Sequence, residues 1–403
     1  MASADVEAKA SEEPVQPAPT RVAHAPAPKR HYTVKRKIIH LFHRVGRGAE
    51  AVAPLVLPIL PNRKVAGEVK VGSRTVRWYK HWPSDAKLLA DWDKLAIETP
   101  GATVYHSPHW LQPTARTADA IGTLRLMTVH DGERLVAAVP LERRWGGHWR
   151  TIGYLTNAYH DPLIAEAGRE EAIDALLRGI LQIDPQLKDM TFQLLSPGSP
   201  YLESLPRLAK AVGLPGSHTS PTTTDTVVPL AATWEKYLES LPGHDRRELR
   251  RKIRKCEEKG RAKMVVHETE DAVRKALDET FALMEAEGGG KARKTKWIFR
   301  PLMKAAAGPL ARSGRLVVYQ LLIEDQVAAG NIALPQQNRQ LMFNGAIDQK
   351  HRDWSPGIVL WGMIIRRAIE LGQPTLDLLR GLSTYKYELG AAEYPLLQLT
   401  LTR

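Results

Sequence analysis

The chain has 403 residues, 43 % of them hydrophobic, a single cysteine and a formal net charge of +13. That length is enough for two domains, each with its own core. One cysteine excludes an intramolecular disulfide and fits a reducing compartment; no Cys/His cluster has zinc-ligand spacing; the positive charge points to an anionic partner, whether phosphates, nucleic acid or a membrane surface.

In chain order, residues 1–30 are rich in Ala, Pro and Glu, lack an apolar period and read as a disordered tail. Residues 31–50 are basic with Ile38, Ile39, Leu41 and Phe42 interleaved, and 51–60 are apolar but broken by Pro54 and Pro58. That run is too short for a bilayer, which needs about 20 residues. It also begins too far in for a secretory signal. Residues 31–60 have two readings: contact with a membrane surface or a partner, or a solvated basic tail that ends by packing on the domain.

In the first half, TLRLMTVH (123–130) and RLVAAVPLE (134–142) flank Asp131-Gly132-Glu133, a hairpin signal, and HWRTIGYL (148–155) continues as a third strand. Ala172, Ile173, Leu176, Leu177 and Ile180 predict a helix over about 169–182, and MTFQLL (190–195) a strand. Gly198, Pro200 and Pro206 mark an irregular region. His160-Asp161 is the most polar spot here, a candidate base pair, although neighbours in sequence rarely face each other.

The second half repeats the order. The helical period covers about 270–286 and 298–312, separated by Gly288–Gly290 and a cationic stretch, Lys291–Lys296. That stretch reads as a mobile loop, either closing over an anionic acceptor or simply solvated. RLVVYQLLI (315–323) and VAAGNIALP (327–335) form a hairpin across Glu324-Asp325, and QLMFNGAID (340–348) is the third strand. SPGIVLWGMIIRRAIELG (355–372) predicts a helix with Ser355 as N-cap, Pro356 in the first turn and Gly372 as stop. Strands TLDLLR (375–380) and PLLQLTLT (395–402) follow. The likeness of 129–141 to 322–334 hints at internal duplication. The expected fold is α/β (α+β): two mixed-sheet domains at 76–229 and 230–403 behind a disordered basic tail at 1–75.

Residues 243–264 hold ten Lys/Arg against four Asp/Glu. Asp245 and Glu248 suggest a capping box and Gly260 a stop, while Leu249, Ile253 and Cys256 share one face. Arg247, Arg250, Arg251 and Arg254 cover the rest. They read as a solvated face, as a site for an anionic donor or acceptor, or as a nucleic-acid or membrane contact; no motif for sequence-specific nucleic-acid recognition is present.

Ser355-Pro356-Gly357 opens a helix whose N-terminal N–H groups could hold phosphate, though Ser-Pro there is also an ordinary cap. Together with DRRELRRKIRKCEEKG (245–260) and LDLLRG…YKYELGA (376–391), this succession resembles the GNAT acyltransferase fold. The nearest branch is the tandem group with FemAB-type peptidyl-aminoacyl transferases and CelD-type acetyltransferases of bacterial polysaccharide biosynthesis. The likeness is clearest over 240–391 and looser over 76–229. It implies an acyl-CoA co-substrate, without a metal, whose pyrophosphate lies at the 355–357 turn and whose arm runs between QLMFNGAID and TLDLLR. Asn344, Gly345, Ser355, Gly357, Arg380 and Lys386 would then line the donor site. Tyr385 and Tyr387 are candidate proton donors to the leaving sulfur, and Asp377 or Asp348 a candidate acceptor of the amine proton. The family's glycine-rich loop is here reduced to one glycine at 351–357, and the meander's third strand carries no glutamate base. The resemblance also implies a bacterial-type cytoplasmic enzyme acylating an amino group of a sugar, nucleotide-sugar or peptide precursor; a place at the inner membrane would follow only from the membrane reading of residues 31–60. An aminoacyl-tRNA-dependent transferase and a non-catalytic polyanion- or membrane-binding protein remain as alternatives.

Overall fold

The computed structural model describes residues 65–259, 262–337 and 339–403. The readings for residues 1–64, including membrane contact through 31–60, and for Gly260 lie outside the described residues.

The first half runs β1 (Gly67–Val71), β2 (Arg74–Tyr79), α1 (Ala86–Glu98), α2 (Pro108–Ala120), β3 (Leu124–Asp131), β4 (Arg134–Arg144), β5 (His148–Thr151), β6 (Leu163–Ile164), α3 (Arg169–Ile183), β7 (Asp189–Leu195), α4 (Tyr201–Ala211) and β8 (Gly216–Pro229). The second half runs α5 (Trp234–Ser240), α6 (Gly243–Lys259), β9 (Lys263–His267), α7 (Glu270–Ala286), α8 (Gly289–Lys294), a π-helical stretch (Thr295–Phe299), α9 (Arg300–Arg312), β10 (Val317–Ile323), β11 (Gln326–Gln336), β12 (Arg339–Ile347), α10 (Pro356–Glu370), β13 (Thr375–Arg380), α11 (Thr384–Glu388) and β14 (Ala392–Thr402).

These strands share one mixed sheet, ordered β1-β2-β3-β4-β5-β7-β14-β8-β13-β12-β11-β10-β9, with β6 on β4. Each half supplies an antiparallel meander, a crossover helix and a strand parallel to the meander's last one: β5 with β7, and β12 with β13. The halves then exchange strands. β8, from the first half, pairs with β13 of the second, and β14, from the second, pairs with β7 of the first. The sheet therefore runs unbroken across the sequence boundary at 229/230.

The alternating apolar positions of these strands feed three cores. One lies in the first half with Leu399 and Leu401 of β14 added, and one in the second with Val228 of β8 added. The middle core is shared, joining Val104, Trp110 and Tyr159 to Phe281, Met303 and Ile332. Each fully buried side chain of this kind is worth about 1.5–3 kcal/mol. A half-buried ion pair reinforces the junction: Arg315 Nη1 donates to Asp93 Oδ1 at 3.0 Å, and Ser107 Oγ donates to the same oxygen at 2.6 Å. Burial raises the Asp93 carboxyl, but these hydrogen bonds outweigh it and hold the group below its usual range.

Several expectations are corrected. The third strand of the first meander stops at Thr151 rather than 155, because Gly153 (φ +87°) turns the chain away. The irregular region around Pro206 is helix α4; Tyr201, Leu205 and Ala209 bury one face, which outweighs the N–H that proline lacks. The expected loop is helical from Gly289, α8 running straight into the π-helical stretch. Asp245 lies inside the first turn of α6, and Glu248 bonds Arg251 rather than closing a capping box. Ser355 precedes α10 in the left-handed region (φ +51°), and its side chain caps no N–H. Helices α1, α2 and α5 and strands β1, β2, β6, β8 and β9 have no counterpart in the sequence reading.

Among the described residues no helix is long and apolar enough to cross a membrane, and no group of His, Cys, Asp and Glu could hold a metal ion.

Candidate active site

β12 and β13 pair only at their starts, Arg339–Leu341 against Thr375–Asp377, and then diverge. Two things force them apart. Phe343 bulges out of the β11–β12 ladder, its ring edge-on to Trp110 and Phe299. Beyond Asp377, β13 shifts register against β8, with Leu379 at φ +56°. The gap opens into a cavity of about 640 Å³ lined by Met342–Ile347, Ser355–Ile358, Trp361, Leu378, Arg380, Tyr385 and Lys386, among others.

One end of the cavity is the start of α10. An α-helix leaves its first N–H groups without intrahelical partners, and its positive dipole end favours anions. No acid stands in this first turn. Arg352 and Lys291 also line the cavity, and Lys291 Nζ donates to Gly345 O at 2.8 Å, so α8 is tied to β12. The turn before α10 is anchored from behind by α6: Lys255 Nζ donates to Asp353 O at 3.0 Å and Cys256 Sγ to Trp354 O at 3.4 Å. Gly362 permits this approach, since a Cβ there would lie 2.6 Å from Ile253 Cδ1.

The other end holds charge. Lys386 is buried, and its Nζ donates to the carbonyls of Leu378 and Leu379 at 2.8 Å and of Arg380 at 3.4 Å. Burial brings its amine down to about 8, against the opposing pull of Asp225 and Asp377. Asp377, at the apex of the gap, accepts from Tyr159 Oη and from Leu379 N. Asp225, brought alongside by the strand exchange, is fully buried with neither carboxylate oxygen hydrogen-bonded. Burial raises both carboxyls, and the charge of Asp377 helps push Asp225 up to about 7. Tyr385 stacks on Trp361 at 6.0 Å between ring centroids, and burial pushes its phenol up to about 12, so it keeps its proton at neutral pH.

The fold thus gathers Asn344, Gly345, Ser355, Gly357, Arg380, Tyr385 and Lys386 around one cavity. Asp377 lies behind the wall. Tyr387 points elsewhere, donating to Glu393 at 2.8 Å, and Asp348 accepts from Lys350 N at the start of the 3-10 turn. Arg247, Arg250, Arg251 and Arg254 lie on the exposed face of α6, outside the cavity; Arg251 pairs with Glu248 and Arg254 with Glu258. His160 is buried and Asp161 half-buried, and their side chains do not bond each other. Burial holds the imidazole neutral, down to about 3, and raises the carboxyl to about 6. Asp225 and Trp361 escaped the sequence reading. Asp225 carries a faint signal, a lone acid in the Thr/Val run 222–228, but only the strand exchange gives it a partner.

Residues 243–387 match the family described as acetyltransferase (GNAT) domain. A search of curated proteins found no match to the sequence. Among solved structures, FemX is similar in fold with a TM-score of 0.53 at 11 % identity, covering 78 % of this chain and 96 % of that one. The C-terminal domain (DUF2156) of a putative lysylphosphatidylglycerol synthetase from Agrobacterium fabrum gives 0.51 at 12 % identity, covering 79 % and 92 %.

Proposed function

We propose that this chain, a tandem FemAB-like member of the GNAT superfamily with its GNAT domain at 243–387, is an N-acyltransferase using an acyl-CoA donor. The observation that carries this reading is the gap between β12 and β13, which opens at the acid-free start of α10. The residues present fit the donor. Gly357 and Ile358 N–H with Arg352 suit its diphosphate, and the strand wall Met342–Ile347 suits its arm. Gly357 also keeps that end narrow-walled, since a Cβ there would lie 3.1 Å from Ile347 Cγ2.

The donor supplies an activated acyl carbonyl. The protein must take a proton from the attacking amine and give one to the leaving sulfur. Lys386 suits the first task. A neutral amine keeps two N–H donors for its two 2.8 Å bonds and frees its lone pair where the 3.4 Å bond stood. Its value near 8 is close to working pH, where a base is most effective. Asp225 and Asp377 then hold the resulting ammonium. Tyr385 suits the second task, because it stays protonated beside the cavity. The acceptor class suggested by the resemblance is an amino group on a sugar, nucleotide-sugar or peptide precursor of the cell envelope. The same reading puts the enzyme in a bacterial-type cytoplasm; contact of residues 31–60 with a membrane surface would hold it at the inner membrane.

Thermal unfolding with acetyl-CoA, longer acyl-CoAs and free CoA tests the donor. A ligand at about 100 times its Kd adds about 2.7 kcal/mol and raises the midpoint visibly. No shift with any CoA would overturn the reading and turn the search to aminoacyl-tRNA.

A further inference from the structure

A second cavity, of about 160 Å³, lies beside the first, between α2, the β4–β5 hairpin, residues 152–156 and the helical run 297–302. One wall is apolar, formed by Ile121, Tyr154, Ile298, Pro301 and Leu302; the other carries Arg116 and the ion-paired Glu142 and Arg150. The space suits a single ring, since an apolar cavity of about 150 Å³ takes benzene.

Arg380 stands between the two cavities. It lines the first, while Tyr154 and Leu155 line the second. Its Nη2 donates to Leu155 O at 3.3 Å, and its guanidinium sits 5.4 Å from the centre of the Tyr154 ring. Among the described residues that bond is the guanidinium's only one, and no acid pairs with it. Asp225 faces Arg380 across β8 and β13 and feels its charge, yet neither Asp225 oxygen is hydrogen-bonded. Burial raises that carboxyl to about 7, so near neutral pH it is only in part a competing anion. The acid lining the first cavity, Glu287, accepts from Lys291 at 2.8 Å. Most of the five N–H donors of Arg380 therefore stay open. Lys386 Nζ, 3.4 Å from Arg380 O, sets the base of the acyltransferase reading next to them.

We propose that the acceptor is an amino acid with a free carboxylate and a phenyl-sized apolar side chain. Three neighbouring places take its three groups. The amine meets Lys386 in the first cavity, the carboxylate binds Arg380, and the side chain enters the second cavity past Tyr154. The planar guanidinium matches a carboxylate with two parallel N–H bonds, one to each oxygen. In turning to the carboxylate the guanidinium leaves the Tyr154 ring and opens the way for the side chain. The amine nitrogen bonds the donor's acyl carbon as the C–S bond breaks; the amine proton goes to Lys386, and the sulfur takes one from Tyr385. This assignment rests on the acyltransferase reading and narrows its acceptor.

The test is acetylation of L-phenylalanine by the full chain with acetyl-CoA, followed by thiol release. Phenethylamine, which lacks the carboxylate, and L-alanine, which lacks the ring, are the comparison amines. L-Phenylalanine exceeds each by about tenfold or more in kcat/KM. Arg380→Gln cuts the ratio of L-phenylalanine to phenethylamine about fivefold or more, through KM, and Arg380→Lys restores part of it. Ile298→Trp, which fills the second cavity, cuts the ratio of L-phenylalanine to L-alanine by a similar factor. Ratios taken within one variant separate recognition from loss of fold. A comparison amine that matches L-phenylalanine in wild type, or a ratio that its variant leaves unmoved, overturns the assignment. So does acetyl-CoA binding, read by calorimetry, with none of the three amines acetylated, and the acyltransferase reading then stands. No binding of acetyl-CoA removes that reading, and the acceptor with it.

Discussion

The two halves build the same gap twice and furnish only one. In each, the parallel strands pair over three positions, 148–150 with 189–191 and 339–341 with 375–377. Each crossover helix follows a residue in the left-handed region, Gly168 in one half and Ser355 in the other. There the likeness ends. β5 stops at Thr151 and the chain folds back, with β6 pairing on β4, so the chain itself follows the first gap. β12 instead runs on to Ile347 and leaves the second gap open. The first turn of α3 carries Glu170 and Glu171, with Glu170 paired to Arg207, whereas that of α10 carries no acid. Thr191 holds the position that Asp377 holds at the second apex, and it bonds Thr400. A duplicated scaffold can therefore keep its geometry in both copies while charge and strand length confine a ligand site to one.

Substitutions can break this contrast. The largest effect is expected at Lys386, which the first apex lacks: Lys386→Met lowers kcat by about 10²–10⁴-fold and removes the rising limb of the pH–rate profile near 8. A smaller change sharpens the assignment. Asp225 raises the Lys386 value, so Asp225→Asn moves that limb to lower pH. The same variant reports on stability. A carboxyl raised from 3.8 to about 7 makes the folded state bind more protons than the unfolded one between those values, so stability falls as pH rises through that window. In Asp225→Asn, denaturant titrations across the window show a flatter slope; an unchanged slope would deny the buried charge.

Gly357→Asp gives α10 the kind of acid that α3 carries. Acyl-CoA affinity, read by calorimetry, drops by roughly 100-fold from repulsion and lost dipole binding. In the opposite direction, Glu170→Gln with Glu171→Gln creates no CoA site, because the first gap stays closed. Tyr385→Phe lowers kcat by about tenfold with donor affinity unchanged; a change in affinity alone would make it a packing residue against Trp361. The smallest effects belong to residues outside the cavity. Arg251→Gln and Tyr387→Phe leave the unfolding midpoint and turnover nearly as they were.

Much of this was legible in the residues. The meander–helix–strand order of both halves follows from period-two and 3.6-residue patterning, and the α10 turn from Pro356 and Gly357. Arg380, Tyr385 and Lys386 stood out as a polar cluster at a strand end. Their division of labour did not. Tyr387 lies two residues from Tyr385, yet the one-turn helix α11 sends the two in different directions. The basic face of α6 drew attention through its arginines, while the contacts that support the site come from Lys255 and Cys256 on its inner side.

The sequence by itself determined the meander strands and the crossover helices of both halves, because apolar period, turn residues and helix signals are local. The tertiary structure alone decided that β8 and β14 change places, that Asp225 meets Asp377, and that one gap stays open while its twin is closed. The strand exchange and the meeting of the two carboxyls depend on contacts between residues more than a hundred positions apart, and nothing in local patterning records which partner a strand edge or a buried charge will find.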